Sequence, residues 1–121
     1  MSLHDLHVTL GWAVVLSNAA AGLWALAAHW FTGLRHRALW IGTAIAEILI
    51  AVQVIVGVIN MRVNDIEVNG VHLFYGFVAL FSVGIIYSYR QQLEQWRYLL
   101  YGLGGLFLMG LALRSMFIAA V

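Results

Sequence analysis

The sequence predicts an all-α membrane protein, a four-helix transmembrane up-down bundle formed by a single domain over residues 1–121. Composition is the first reason, because 64% of the residues are hydrophobic and 9% are charged, against about 45–50% and 25% in soluble domains. The second is a mean hydropathy of +0.93, which leaves too little polar surface for a water-soluble fold. The third is a series of uncharged runs of the length that bilayer-spanning helices require. We therefore expect the lipid bilayer to be its main surroundings.

Four spans account for almost the whole chain. Short connections between them predict that consecutive helices are antiparallel neighbours. Ser2 and Asp5 have the spacing of a capping box, which predicts the start of the first helix. Glycines in the fourth span are interpreted as sites of close helix packing. The expected spans are approximately 6–30, 38–60, 70–90 and 97–119, and the glycines are Gly102, Gly104, Gly105 and Gly110.

The arginines predict the orientation of the bundle. Two lie in the first connection and two in the third, whereas the middle connection has one arginine and two acids. Cytoplasmic loops are enriched in Arg and Lys, so both termini are expected on the outer, periplasmic side of a bacterial inner membrane. The four arginines are Arg35, Arg37, Arg90 and Arg97.

Charge and cysteine content exclude several functions. The formal net charge is +1, which provides no basic surface for nucleic acid. The chain has no cysteine, so it cannot form thiolate zinc sites, iron–sulfur clusters or disulfides.

Small and polar residues share one face of the first and third helices. In membranes such a face turns toward other helices, so these residues are expected in the interior of the bundle. On the first helix they are His4, His7, Gly11, Asn18, Gly22 and His29, and on the third they are His72, Gly76, Ala79 and Val83.

Two of these helices contain the motif His-x-x-x-Gly, formed by His7 with Gly11 and by His72 with Gly76. Both helices run in the same direction, so both motifs lie at one depth. Two facing imidazoles can coordinate one iron, and a glycine one turn deeper leaves room for a flat macrocycle. The sequence thus predicts one haem b near the outer leaflet, with His7 and His72 as axial ligands. Aromatic neighbours expected to suit a porphyrin are Trp12, Phe74, Tyr75 and Phe77.

Further polar residues extend this hypothesis. Gln53 and Asn60 of the second helix lie on one face and are expected to line the pocket. His4 is an interfacial residue, a replacement for His7 as ligand, or a partner of a haem propionate. Arg114 is expected near the outer surface, where it reaches headgroups, acids of the middle connection or a propionate.

Glu47 lies near the middle of the second span, where an ionised carboxylate is costly. We expect it to be protonated, paired, or directed at a partner subunit, and it is a candidate proton site. Asn18 is expected at a similar depth, where it could donate a hydrogen bond to Glu47.

The arrangement resembles small membrane proteins that hold haem b between histidines of different helices. His7, the pattern Gln53-x-x-x-Gly57 and His72 are similar to part of a half-bundle of the haem A synthase family, and more loosely to cytochrome b561-type bundles. The resemblance implies that His7 and His72 are axial ligands and that Gln53 lines the pocket. The acid-x-x-His-Arg signature of the synthase is absent, so the resemblance implies haem binding and not haem modification.

The expected role is electron transfer or haem-dependent assembly, with a quinol, a periplasmic carrier or a neighbouring subunit as redox partner, in preference to stand-alone catalysis. One alternative is an accessory subunit of a larger membrane complex, without pigment. Another is a small transporter or metal-ion site that holds zinc or copper. Its ligands would be His4, Asp5, His7 and His72. The chain could also form homo-oligomers.

Overall fold

The structure is a computed structural model that describes residues 2–120. Within these residues there are four long helices, two short 3₁₀ turns and no strand, and all four helices are long and apolar enough to cross a membrane. The prediction of an all-helical, multi-pass membrane protein is confirmed at this level. The helices are α1 (Leu3–Trp30), α2 (Arg37–Val63), α3 (Gly70–Ser88) and α4 (Arg97–Ala120).

Side-chain caps define where the helices begin. Ser2 accepts a hydrogen bond from the backbone N–H of Asp5, and the Asp5 carboxylate accepts one from the Ser2 N–H, so the predicted capping box is present. His36 caps α2 through its Nδ1, and Asn69 caps α3 through its side-chain oxygen. These groups satisfy backbone donors that a helix start leaves free. The helices therefore begin within three residues of the predicted spans.

The helices form an antiparallel up-down bundle. α1 packs against α2 and α4, α3 packs against α4, and of the four neighbouring pairs α2 and α3 have the loosest contact. α1 and α3 consequently lie diagonally opposite each other and run in the same direction. We call the end that contains His7, Gly57, His72 and Ser115 the histidine end, and the opposite end, with Arg35 and Arg97, the arginine end.

Glycines hold α1 and α4 close together in the half of the bundle toward the arginine end. A Cβ on Gly102 would lie 2.7 Å from the backbone nitrogen of Leu26, and a Cβ on Gly105 would lie 2.9 Å from the Cα of Gly22. The two backbones therefore touch, as small residues allow in membrane helices. The interpretation of these glycines as packing sites is confirmed for Gly102 and Gly105, whereas Gly110 has open space around it.

One buried polar residue joins α1 to α2 in the middle of the bundle. Asn18 is 2% exposed, and its Nδ2 donates to the carbonyl oxygens of Val14 at 2.9 Å and Ala46 at 3.3 Å. The predicted depth is right, but the predicted hydrogen bond to Glu47 is wrong. The carbonyl of the preceding residue, Ala46, faces Asn18 and takes the hydrogen bond instead.

Candidate functional site

The two predicted ligand histidines face each other across the bundle. The ring centroids of His7 on α1 and His72 on α3 are 6.0 Å apart, and the ring planes are inclined by 87°. Because α1 and α3 are diagonal neighbours, no helix backbone lies between the rings. The histidine end therefore brings two imidazoles from remote parts of the chain to one level.

A cavity of about 550 Å³ surrounds this pair and is lined mainly by apolar groups. All four helices contribute to its wall, and it lies along the loosely packed seam between α2 and α3. The α2–α3 connection also lines the cavity, through Ile66, Glu67, Val68 and Asn69. Ligand sites in helical bundles are commonly apolar cavities with a few polar groups. The predicted residues that line this one are His4, His7, Gly11, Gln53, Asn60, His72 and Gly76.

His72 is held by α4. Its Nδ1 lies 2.9 Å from the backbone oxygen of Ser115 and 2.8 Å from the Ser115 hydroxyl oxygen. A carbonyl oxygen can only accept, so the Nδ1 must carry the proton and donate. This hydrogen bond leaves Nε2 with a free lone pair, the form in which histidine binds a metal.

His7 is fixed by α2. A Cβ on Gly57 would lie 2.8 Å from His7 Cε1, so the imidazole occupies the space that the missing side chain leaves. Gln53 Nε2 donates to the His7 backbone oxygen at 2.7 Å. Two buried polar atoms in this group have no partner within residues 2–120, His7 Nδ1 and Gln53 Oε1. Buried polar atoms are rarely left without a hydrogen-bond partner, so both atoms are candidates for contact with a bound group.

The two glycines of the motifs have different surroundings. A Cβ on Gly76 would meet only Val54 Cγ2, at 3.9 Å, so this glycine borders open cavity. A Cβ on Gly11 would lie 3.2 Å from Gln53 Nε2 and 3.6 Å from Met116 Sδ. Gly76 thus leaves space for a bound group, whereas the space beside Gly11 is taken by the Gln53 amide.

The remaining predicted residues divide into two groups. Asn60 is buried beside the cavity, and its side-chain oxygen accepts a hydrogen bond of 2.6 Å from Asn64. Tyr75 and Phe77 line the cavity, as expected. Trp12 and Phe74 do not line it and are exposed, because they lie on the outward faces of α1 and α3. Arg114 is also exposed and does not line the cavity.

Glu47 does not join the histidine site. It is half-buried on the face of α2 that carries Ile50 and Val54, one turn beyond the residues that line the cavity. Its role as a proton or partner site stays a prediction.

The geometry restricts what the site can hold. In the part of the chain that the structure describes, no three His, Cys, Asp or Glu side chains lie together in a way that could hold a metal ion. The donor set proposed for bare zinc or copper is therefore not assembled. The two imidazoles that line the cavity are the metal-binding side-chain type that the structure brings together here.

Sequence reasoning missed two contributors to this site. Ser115 lies on α4, a helix without histidine, and nothing in its local sequence marks it as a partner of His72. Met116, which faces Gly11, is likewise indistinguishable from an ordinary core methionine. The packing of α4 against α3 brings Ser115 to His72, and its packing against α1 brings Met116 to Gly11.

Comparisons with known proteins give no relative. No family model, no protein of known function and no solved structure matches the chain. The function must therefore be argued from the site itself.

Proposed function

We propose that this chain is an integral membrane haem b protein, with His7 and His72 as the axial ligands of one iron. The observation that carries the proposal is the 6.0 Å separation of the two ring centroids. At this separation each ring could give one nitrogen to a single metal ion, since metal–nitrogen bonds to histidine are about 2.0–2.1 Å long.

The surrounding residues fit this assignment. Ser115 sets the tautomer and the direction of the His72 ring, as partners of metal-binding histidines generally do. The missing side chain at Gly57 makes room for the His7 ring, and the missing side chain at Gly76 leaves cavity space next to Val54. The mainly apolar wall of the cavity suits the faces of a porphyrin.

Haem iron with two histidine ligands supplies one-electron transfer and leaves no coordination position open for oxygen. The chain would hold both imidazoles in place while the charge of the site changes, which favours electron transfer over stand-alone catalysis. A quinol, a periplasmic carrier or a neighbouring subunit would be the redox partner.

The location of the site follows from charge. Arg35, Arg37, Arg90 and Arg97 belong to the arginine end, and arginines favour the cytoplasmic side. The proposal therefore has the histidine end and both termini at the periplasmic side of an inner membrane, which the arginine distribution supports.

The test is the visible spectrum of detergent-purified protein, supplied with haemin, before and after reduction by dithionite. We expect sharp reduced bands of low-spin haem b in the wild type and in the control variant His36→Ala, whose side chain only caps α2. His7→Ala and His72→Ala should lose these bands. A wild type that stays colourless once unbound haemin has been removed would overturn the proposal and favour an accessory subunit without pigment.

A further inference from the structure

The arginine end contains two guanidinium groups placed around one aromatic ring. Arg35, from the connection between α1 and α2, lies 4.5 Å from the Tyr98 ring centroid, and Arg97 of α4 lies 5.1 Å from it. Arg97 also lies 5.5 Å from the Trp40 centroid, and the two aromatic rings pack at 5.2 Å. Tyr98 is buried against Ala25, Ala28 and Leu39, so this platform is part of the core. Cation–π contacts of this kind hold the guanidinium groups in place.

Most N–H donors of the Arg35 and Arg97 guanidinium groups have no acceptor within residues 2–120. Arg35 donates through Nε to the Ala28 oxygen at 2.9 Å and through Nη2 to the His29 oxygen at 3.1 Å. Arg97 donates through Nη2 to the Tyr98 hydroxyl at 3.4 Å. A guanidinium has five N–H donors, and all of these acceptors are neutral oxygens. Among the described residues, both arginines therefore keep unused donors and have no acidic partner.

The rest of this end adds positive charge. Arg90 stacks on Tyr87 at 3.7 Å and donates to its backbone oxygen, which is again a neutral acceptor. Arg37 lies in the first turn of α2, and Glu94 is the one acid in the sequence of the two connections at this end. A bilayer surface with anionic headgroups is the environment that neutralises such a cluster.

We propose that Arg35 and Arg97 form a binding site for the phosphate of an anionic phospholipid. Both guanidinium groups lie over the same ring, and in this proposal one phosphate accepts charge-assisted hydrogen bonds from each. The position of the site, at the end of membrane-spanning helices and on a Trp–Tyr platform, favours a lipid over a soluble anion. The proposal is independent of haem binding at the other end.

An apolar groove between α3 and α4 lies toward the same end of the bundle. It begins at Leu93 and Trp96, immediately before Arg97, and continues to Phe107. Phe107 is eleven positions after Trp96, which corresponds to roughly 16 Å at 1.5 Å per residue. Neither Arg35 nor Arg97 lines this groove, so the proposed phosphate site rests on the two arginines and their aromatic platform.

The experiment measures lipid retention by native mass spectrometry and the shift of the unfolding temperature in detergent. The probes are phosphatidylglycerol, phosphatidylcholine and inorganic phosphate. The variants are Arg97→Lys and Arg35→Lys, which keep the charge but lose the planar, stacked donor fork. The matched control is the double variant Arg62→Gln, Arg114→Gln at the histidine end. Because Arg97 makes one long hydrogen bond within the chain, Arg97→Lys remains informative even where Arg35→Lys fails to fold.

We expect the wild type and the control to retain phosphatidylglycerol and to be stabilised by it, and the Lys variants to bind it about tenfold more weakly. If Arg97→Lys binds phosphatidylglycerol as tightly as the wild type does, the proposal is overturned. Positive charge alone, without the arginine donor fork, would then explain the binding. Equal retention of phosphatidylcholine would also overturn the proposal, as would equal stabilisation by inorganic phosphate at the same concentration.

Discussion

The two ends of this bundle are built in different ways. Toward the arginine end, glycines bring the backbones of α1 and α4 into direct contact, and arginines stack on buried aromatic rings. At the histidine end, α2 and α3 barely touch, a cavity of about 550 Å³ remains, and two buried polar atoms have no partner within residues 2–120. The comparison teaches that the closest contact between two helix backbones and the cavity around the two histidines lie in different halves of the bundle.

This separation has a physical reason. Close packing forbids a large void, and functional sites carry unsatisfied or strained groups that cost stability elsewhere. The backbone contact between α1 and α4 therefore lies away from the cavity around His7 and His72. Changes in the two halves should consequently have different effects.

The largest effect on stability is expected from Gly102→Ala. The new Cβ would lie 2.7 Å from the Leu26 backbone nitrogen, and backbone cannot move aside as a side chain can. We expect a loss of about 1–3 kcal/mol in the free energy of unfolding, measured by denaturation in mixed micelles. Gly110→Ala on the same helix has open space and serves as the control, with equal or slightly higher stability. Equal losses in both variants would contradict the packing assigned to this half.

Gly57→Ala is expected to weaken haem binding more than it lowers the free energy of unfolding. Its Cβ would lie 2.8 Å from His7 Cε1, and the imidazole can rotate away at small cost to the fold. We expect haem affinity to fall about tenfold or more, within the range found when the surroundings of a ligand are disturbed, with a change in unfolding free energy below about 1 kcal/mol. Haemin titration and denaturation of the same preparation test both. Unchanged haem affinity would contradict the role of His7 as a ligand of the haem iron.

Ser115→Ala is expected to act on His72 alone. The variant keeps the backbone oxygen that accepts from Nδ1 and removes the hydroxyl 2.8 Å away. Loss of a partner of a ligating histidine typically costs 10–100-fold in metal affinity, so an effect near the lower limit, about tenfold, is expected. Haemin titration measures it, with Ser82→Ala as control, since that hydroxyl donates only to the Val78 carbonyl of its own helix. A similar loss in both variants would contradict a specific role of Ser115.

The smallest effect is expected from Asn18→Ala, between the two halves. Its amide joins α1 to Ala46 of α2, and interhelical hydrogen bonds in membrane proteins contribute about 0.6 kcal/mol on average. We expect a loss of about 1 kcal/mol in unfolding free energy, because a small cavity is added. A loss above about 3 kcal/mol would mean that Asn18 belongs to a larger polar network than the structure shows.

The sequence was sufficient for the helices and much of the cavity wall, and insufficient for the contacts that cross between helices. Long apolar runs and the Ser2–Asp5 spacing define α1, and the His-x-x-x-Gly motifs locate His7 and His72, because helical period and membrane depth are local properties. Hydrogen bonds such as Ser115 to His72 and Asn18 to Ala46 depend on the rotation of one helix against another. That rotation is set by packing over the whole interface, which no single stretch of sequence contains.

The exposed aromatic residues show the same limit. Trp12 follows Gly11 directly and Phe74 is two residues from His72, yet a helix turns each successive residue by about 100°, which takes both side chains to the outward face. Sequence proximity to a ligand therefore does not predict contact with the cavity.

The central claim is that His7 and His72 ligate one iron together. It is tested most directly by electron paramagnetic resonance of the oxidised, haemin-loaded protein beside His7→Ala and His72→Ala, with His36→Ala as control. The wild type and the control should give a low-spin signal of iron with two histidine ligands, at one haem per chain, and each ligand variant should lose it. A high-spin wild type, or a low-spin signal that survives in either ligand variant, would contradict the claim.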